Sequence, residues 1–470
     1  MREIELSADR LIAALLDFSE QANVCILDSC GVNHLDSQFL IAGVNPLETF
    51  QITNENPADT LKLLDEKLSQ QNTACIFTIS YDFGLKLENI KTHKSKFQNF
   101  PEPDVFLAVF DCLVIHDYNE SKTFLVGREN KFDELEELLT THSTNIPPKL
   151  KNFENSKVIS NFTRADYMAT IEKIKELIRR GDTYQTNLTQ QIRARLPENL
   201  TAQEIFRRLR RNHPAPFAAF IKRDADFVVS ISPERFFKVQ SSKFKVQSRV
   251  IETSPIKGTR PRGKTVEEDL RLKNELVKSA KDRAENVMIV DLIRNDIGRI
   301  CKFGSVSVEK LCDLETHPTL FHLVSTVEGE LRENLRFFDI IKAVFPCGSI
   351  TGAPKIRTMQ LIEELETAPR GVSMGAIGYS IPNSRFQIPY SKFKIPDAET
   401  HNSRLSTFHY FDLSVAIRTM VIRENEAVFN VGGGIVIDSD PQAEYEETLT
   451  KARALLNALN AADWAENQVD

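Results

Sequence analysis

Phe244-Lys-Val-Gln-Ser-Arg-Val-Ile-Glu-Thr-Ser-Pro-Ile-Lys-Gly-Thr259 alternates side-chain character as far as Ile251 and then meets Pro255 and Gly258. That alternation has the period of a strand, and proline and glycine are the residues that end one. The reading places Lys257 on a tight turn just beyond a strand. A lysine amine is a poor nucleophile while protonated and a good one where a dry pocket or a neighbouring cation lowers its pKa. A solvated turn lysine is the plain alternative, and this stretch alone does not choose between them. Strand-like runs recur on either side: Val24 to Leu27, Ala74 to Ile79, Val105 to Phe110, Lys122 to Val126 and Phe227 to Ile231. Helical periodicity interrupts them irregularly, at Phe132 to Thr141, at Arg164 to Arg180 and within Glu268 to Arg299. Antiparallel-looking strands with helices at irregular intervals point to an α+β fold, not a regular βαβ wheel.

The chain has 470 residues, 41% of them hydrophobic, enough for one large domain or two to three smaller ones. A helix-like segment followed by Ile146-Pro-Pro-Lys suggests a boundary near 145–156, dividing an N-terminal part (1–150) from a chemistry-bearing part (156–460). With 59 basic and 66 acidic side chains the net charge is −7, which argues against a general nucleic-acid or membrane-surface binder. The first ten residues lack the apolar core of a signal peptide, and no apolar run approaches the roughly 20 residues that cross a bilayer. The seven cysteines are scattered, without a C-x-x-C pair, as suits thiols used as small core residues in a reducing compartment. The expectation is a cytoplasmic globular protein.

Two carboxylate pairs stand out. Asp282 and Glu285 are three apart on a helical stretch and share a face. Asp440-Pro441 reads as an N-cap and first helical residue, opening a helix that carries Glu444 and Glu447. Two helices that each offer paired carboxylates suit a hard divalent cation such as Mg²⁺; acidic residues favoured by a helix dipole are the simpler alternative. Arg418 lies in the middle of Leu413 to Ile422, an otherwise apolar strand-like run, where a buried guanidinium needs an anion. Gly432-Gly-Gly434 follows Ala427 to Val431, and missing side chains let a backbone approach a ligand. Gln185, Asn187 and Thr189 share one face of a strand at Thr183 to Gln190. Gly258-Thr-Arg-Pro-Arg-Gly263-Lys264-Thr265 also fits the phosphate-loop pattern, and Val287 to Asp291 resembles its partner strand, which makes a P-loop NTPase a competing reading. Against it, Arg260, Pro261 and Arg262 crowd a phosphate cradle and remove a donor.

Six ordered blocks resemble the chorismate-utilising enzymes. They are Gly181-Asp-Thr-Tyr-Gln-Thr-Asn-Leu-Thr-Gln, Ser232-Pro-Glu-Arg-Phe, Pro255-Ile-Lys-Gly-Thr-Arg, Glu285-Asn-Val-Met-Ile-Val-Asp-Leu-Ile-Arg-Asn-Asp, Gly348-Ser-Ile-Thr-Gly-Ala-Pro-Lys, and Val431-Gly-Gly-Gly through Glu447-Thr. Ser80 to Leu85 resembles the family's N-terminal part as well, which implies one large two-lobed, β-sandwich-like core with helices outside. The segment 380–408 is longer than the family's usual link and reads as a surface insertion.

Members that add water to chorismate carry lysine where Gln185 stands, and the anthranilate-forming members usually carry alanine where Lys257 stands. The Pro-Ile-Lys-Gly-Thr form is similar to the branch that transfers ammonia to C4 of chorismate, giving 4-amino-4-deoxychorismate for 4-aminobenzoate and folate. Anthranilate synthase component I is the nearest alternative. The resemblance implies Mg²⁺ held by Glu285 and Glu447 with Asp282 and Glu444 as direct or outer partners. It implies a substrate pocket of Arg418, Tyr379, Gly432, Gly433, Gly434, Thr351, His322, Gln185 and Lys451. Lys257 would be the covalent nucleophile and Glu234 the acid. Cys347 lies on no nucleophile elbow, so ammonia is expected from a separate glutamine amidotransferase subunit.

Overall fold

The computed structural model describes residues 1–32, 34–35, 37–92, 102–142, 153–241, 248–316, 320–382 and 409–468. Two antiparallel sheets stack face to face, one of twelve strands and one of ten, and helices cover both outer faces. The layering follows from the two-residue period of strands buried on both sides. Along Val105–Phe110, Phe106 and Ala108 join the core between the sheets, while Leu107 and Val109 pack against the outer helices. Cys25 and Ile41 likewise face the inter-sheet core, and Ile26 and Ala42 the helices on the other side. This is the α+β sandwich with outside helices that the sequence led us to expect.

Both sheets draw strands from either side of the expected 145–156 boundary. Cys25 to Asp28 pair with Ala218 to Ile221 in the larger sheet, and Cys75 to Ile79 with Ala376 to Ser380 in the smaller one. The boundary's Pro-Pro stretch lies outside the described residues. All seven cysteines are free, and all but the partly exposed Cys30 are buried. Among the described residues no helix is long and apolar enough to cross a membrane.

The structure corrects several local expectations. Residues 244–247 lie outside the described residues; the strand there is Arg249–Thr253. Lys257 sits within a further strand, Ile256–Pro261, and not on a turn. Pro255 ends the first strand, and Gly258, at φ +81, absorbs a register shift between Lys257 and Thr259 so that the second continues. The helical stretch 268–299 is two helices, Val266–Lys278 and Ala280–Gly298, parted at the extended Ser279. Asp282 is therefore in the first turn of the second helix, where the Ser279 hydroxyl accepts from its N–H at 3.2 Å. Leu413 to Ile422 is likewise two strands, His409–Val415 and Thr419–Arg423, in different sheets. Gly432 to Gly434 lie inside the strand Glu426–Ile435 instead of after it. Residues 380–382 complete the strand Ala376–Pro382, paired with His409–Val415; the remaining 383–408 of the expected insertion lie outside the described residues.

The phosphate-loop reading is overturned. Its first half is strand, and the amides of its second half are taken by the following helix: Gly263 N–H donates to Asp269 at 2.8 Å and Lys264 N–H to Glu268 at 2.8 Å. Arg262 is clamped by Asp269, and Val287 to Asp291 is helical. No cradle of free N–H groups is left for a phosphate.

Candidate active site

The site forms where the chain changes sheets. Phe227–Ser232 belongs to the larger sheet and Arg235–Ser241 to the smaller, with Glu234 at the crossing; Arg418 occupies the return crossing between His409–Val415 and Thr419–Arg423. The two crossings are bonded to each other. Ile231 N–H donates to the Arg418 carbonyl at 3.0 Å, Val415 N–H to the Glu234 carbonyl at 3.0 Å, and the Ser232 hydroxyl to the Val415 carbonyl at 2.6 Å. Arg418 adopts φ +50 to make this turn, an uncommon conformation for a residue with a side chain.

Glu234 is 6% exposed. Burial raises its carboxyl above the ordinary range, opposed by the Ser349 hydroxyl and by the positive charges of Lys257 and Lys451. The Lys257 amine donates to the Ser349 carbonyl at 3.4 Å, so one residue of the 3₁₀ turn Gly348–Ile350 meets both groups. That turn is held from beneath. Arg370, fully buried and paired with Glu366 at 2.6 Å, donates to the Ile350 carbonyl at 2.7 Å and to the Asn187 carbonyl at 2.8 Å.

Two helices bring carboxylates to the same place. Glu285 comes from Ala280–Gly298; Glu444 and Glu447 come from Pro441–Ala458, whose Asp440 cap accepts from Ala443 N–H at 2.8 Å. Lys257 acts electrostatically on Glu234, Glu285 and Glu447 alike, which locates all four in one neighbourhood. Glu285 makes no hydrogen bond or ion pair among the described residues. Burial raises its carboxyl, with Asp282 and Glu444 adding to the effect against Lys257 and Lys281. Burial also pushes Glu447 upward, but Lys451, Lys281 and Lys257 outweigh it and hold that carboxyl below its ordinary value. Lys451 lies 2.7 Å from Glu447 and donates to the Gly432 carbonyl at 3.0 Å. Glu444 accepts from the Ser439 hydroxyl at 2.7 Å and pairs with Lys281 at 3.3 Å. Asp282 is committed to Arg260, 3.2 Å away.

The three glycines have three different neighbours. A Cβ on Gly432 would overlap the Leu188 carbonyl, and one on Gly434 the Gln185 amide. A Cβ on Gly433 would lie 3.3 Å from Glu444 and 3.5 Å from Lys451, inside the charged cluster. Gln185 is fully buried on the strand Gln185–Arg195, and neither of its amide atoms has a hydrogen-bond partner; the Asn187 side-chain oxygen on the same face is also unpaired. Buried polar groups are nearly always satisfied, so unpaired ones on one wall mark a place where a ligand completes the bonding. Burial lowers the pKa of Arg418, no anion pairs with it among the described residues, and its positive charge acts on His213.

Other expected residues are engaged differently. The Thr351 hydroxyl donates back to the Cys347 carbonyl at 3.0 Å, closing its own turn. His322 shares a 2.8 Å hydrogen bond with the Thr259 hydroxyl on the neighbouring Lys257 strand. Tyr379 is the clear correction. Its ring lies tilted against that of Tyr410, centroids 5.8 Å apart, and lines a cavity between the sheets with Asp28, Gln38, Phe217 and Asp412, so the alternation of its strand turns it away from the carboxylate cluster. Ser349 and Lys281 were not singled out from the sequence. Ser349 lies in the Gly348-Ser-Ile-Thr-Gly-Ala-Pro-Lys block, but nothing in that block distinguishes it from its small neighbours; Lys281 stands four residues before Glu285, one helical turn away, which could have flagged it.

Two stacked antiparallel sheets with charged residues gathered at the sheet crossings are the architecture on which the comparisons with known proteins bear. The chain belongs to the family of chorismate binding enzymes, whose model matches residues 23–389 and 405–457. It is 32% identical over 468 residues to aminodeoxychorismate synthase component 1 of Klebsiella aerogenes, covering 94% of this chain and 95% of that one. It is 36% identical over 389 residues to anthranilate synthase component 1 of Aquifex aeolicus, covering 78% and 72%. The crystal structure of anthranilate synthase component I from Streptococcus pneumoniae superposes with TM-score 0.72 at 27% identity, covering 90% of this chain and 93% of that one.

Proposed function

We propose that this chorismate-utilising enzyme transfers ammonia to C4 of chorismate, replacing the hydroxyl and giving 4-amino-4-deoxychorismate. The observation that carries the reading is Lys257: its amine reaches the Ser349 carbonyl at 3.4 Å, and the same serine's hydroxyl bonds the protonatable acid Glu234. The Lys257 nitrogen bonds to C2 of the ring, the two ring double bonds shift from C1=C2 and C5=C6 to C1=C6 and C4=C5, and the C4–O bond breaks as Glu234 protonates the departing hydroxyl to water. Ammonia then forms the new bond at C4, the double bonds return, and the C2–N bond to Lys257 breaks. Two displacements leave the configuration at C4 retained.

The Arg418 guanidinium, without an anionic partner among the described residues, takes one substrate carboxylate, and the Gly432–Gly434 backbone and the Gln185 amide offer polar groups to the rest of the substrate. Lys451 steadies that strand and Glu447, while Thr351 and His322 shape the pocket through the turn and strand they hold. Among the described residues no three acidic side chains converge closely enough to bind a metal by themselves. The unpartnered Glu285 with Glu447 nonetheless fits a hard cation that takes the rest of its shell from water and substrate. Mg²⁺ there would supply Lewis-acid polarisation of the ring carboxylate, with Glu444 outside it. Burial pushes the Cys347 thiol up to about 12, which leaves it unfit as a glutaminase nucleophile, and the ammonia is assigned to a separate glutamine amidotransferase subunit.

The test is purified protein with chorismate, Mg²⁺ and ammonium, read by mass spectrometry. The expected product carries the amino group at C4 and yields 4-aminobenzoate only when a lyase is added. Lys257→Ala is expected to cut its formation by at least about a thousandfold. Direct appearance of fluorescent anthranilate, favoured by the Aquifex aeolicus relative, would replace this reading with C2 amination.

A further inference from the structure

The carboxylate cluster is spanned by one side chain that the reaction does not use. Lys281 opens the helix that carries Glu285, yet its amine pairs with Glu444 of the other helix at 3.3 Å, and its charge also acts on Glu285 and Glu447. Its side chain is half exposed, 51%, while that of Glu444 is 6% exposed and fixed by the Ser439 hydroxyl at 2.7 Å. The flexible partner is therefore the lysine. Glu447 is paired within its own helix with Lys451, and among the described residues the Lys281–Glu444 pair is the ion pair that joins the two carboxylate helices. Like-charged carboxylates facing each other need a positive charge between them, and a lysine on a long stem supplies one that can withdraw.

We propose that Lys281 is a tethered counter-ion that holds the two carboxylate helices together in the metal-free enzyme and is displaced outward when a divalent cation binds between Glu285 and Glu447. The inference rests on the cation assigned under the proposed function. Lys281 is a positioning residue for the metal and touches neither substrate nor reacting atoms. Its removal takes one positive charge away from the acidic groups, leaving those of Lys257 and Lys451, so the cation binds more tightly although a favourable contact has been lost. A purely structural surface lysine gives the opposite sign or no effect.

The experiment measures Mn²⁺ binding to the full chain by electron paramagnetic resonance, with Mg²⁺ as competitor and no chorismate present. Lys281→Met and Lys281→Gln are each expected to lower the Mn²⁺ dissociation constant by about two- to fivefold, and Lys281→Arg to leave it near wild type, since a half-exposed charge pair has a modest strength. A dissociation constant that is unchanged or raised in both neutral variants overturns the inference and leaves the proposed reaction standing. Absence of any Mn²⁺ binding in wild type and variants overturns both the inference and the metal assignment. Tighter binding in the variants alongside a Lys257→Ala protein that still makes product keeps the inference and removes the covalent mechanism.

Discussion

Glu234 shows how one buried side chain acquires a working proton. Taken out of water, its carboxyl favours the neutral form, and its neighbours Ser349, Lys257 and Lys451 offset that only in part. A raised carboxyl keeps its proton to higher pH and loses it as pH rises through the shifted value, so the acid form is the low-pH form. Turnover referred to free ammonia concentration is expected to fall on the alkaline side, and Glu234→Gln is expected to remove that limb while lowering kcat by about a hundred- to ten-thousandfold. A pH–rate profile of both proteins checks this; an unaltered alkaline limb in Glu234→Gln assigns it elsewhere. Ser349 would not have been found from the chain, because its value lies in meeting Glu234 with its hydroxyl and Lys257 with its carbonyl.

Within the strand Glu426–Ile435, three consecutive glycines have separable roles. Gly432 faces the Leu188 carbonyl of the adjacent strand, a rigid group that cannot yield to a Cβ. Gly432→Ala is expected to lower the melting temperature or prevent folding, whereas Gly433→Ala is expected to fold with a near-normal melting temperature and to lose chorismate turnover, its methyl group standing among Glu444 and Lys451. Differential scanning fluorimetry with turnover assays separates the two; equal stability loss in both would make the triplet purely architectural. Element types along the strongly periodic runs were legible: Arg164–Arg179 and Phe132–His142 are the helices their spacing promised. Breaks were not. Ser279 and Arg418 are neither proline nor glycine, and the breaks there have different causes: Ser279 caps the second helix through a bond three residues along the chain, and the residues around Arg418 bond to the other crossing.

At the scale of the molecule, neither sheet can be completed by one part of the chain. The pairings of Cys25 to Asp28 with Ala218 to Ile221 and of Cys75 to Ile79 with Ala376 to Ser380 run across the expected division. A fragment beginning at residue 156 exposes bare edges in both sheets, and it is expected to be insoluble or unfolded, while the whole chain melts in one calorimetric transition. Two transitions, or a soluble active fragment, would show that the parts are independent. The Arg370–Glu366 pair, buried where the Gly348–Ile350 turn meets the strand Gln185–Arg195, ties the site to this framework.

The chain by itself determined the strongly periodic strands and helices, that the class is α+β, and which blocks carry the chemistry, since periodicity and short motifs are local properties. Glu234, Lys257, Glu285, Glu444 and Glu447 were named from it and meet in one neighbourhood. Only the tertiary structure decided that Tyr379 faces another cavity, that Asp282 is spent on Arg260, and that Ser349 and Lys281 join the site. The physical reason is that burial, charge and orientation come from what packs against a side chain, and these neighbours lie tens to hundreds of residues away along the chain.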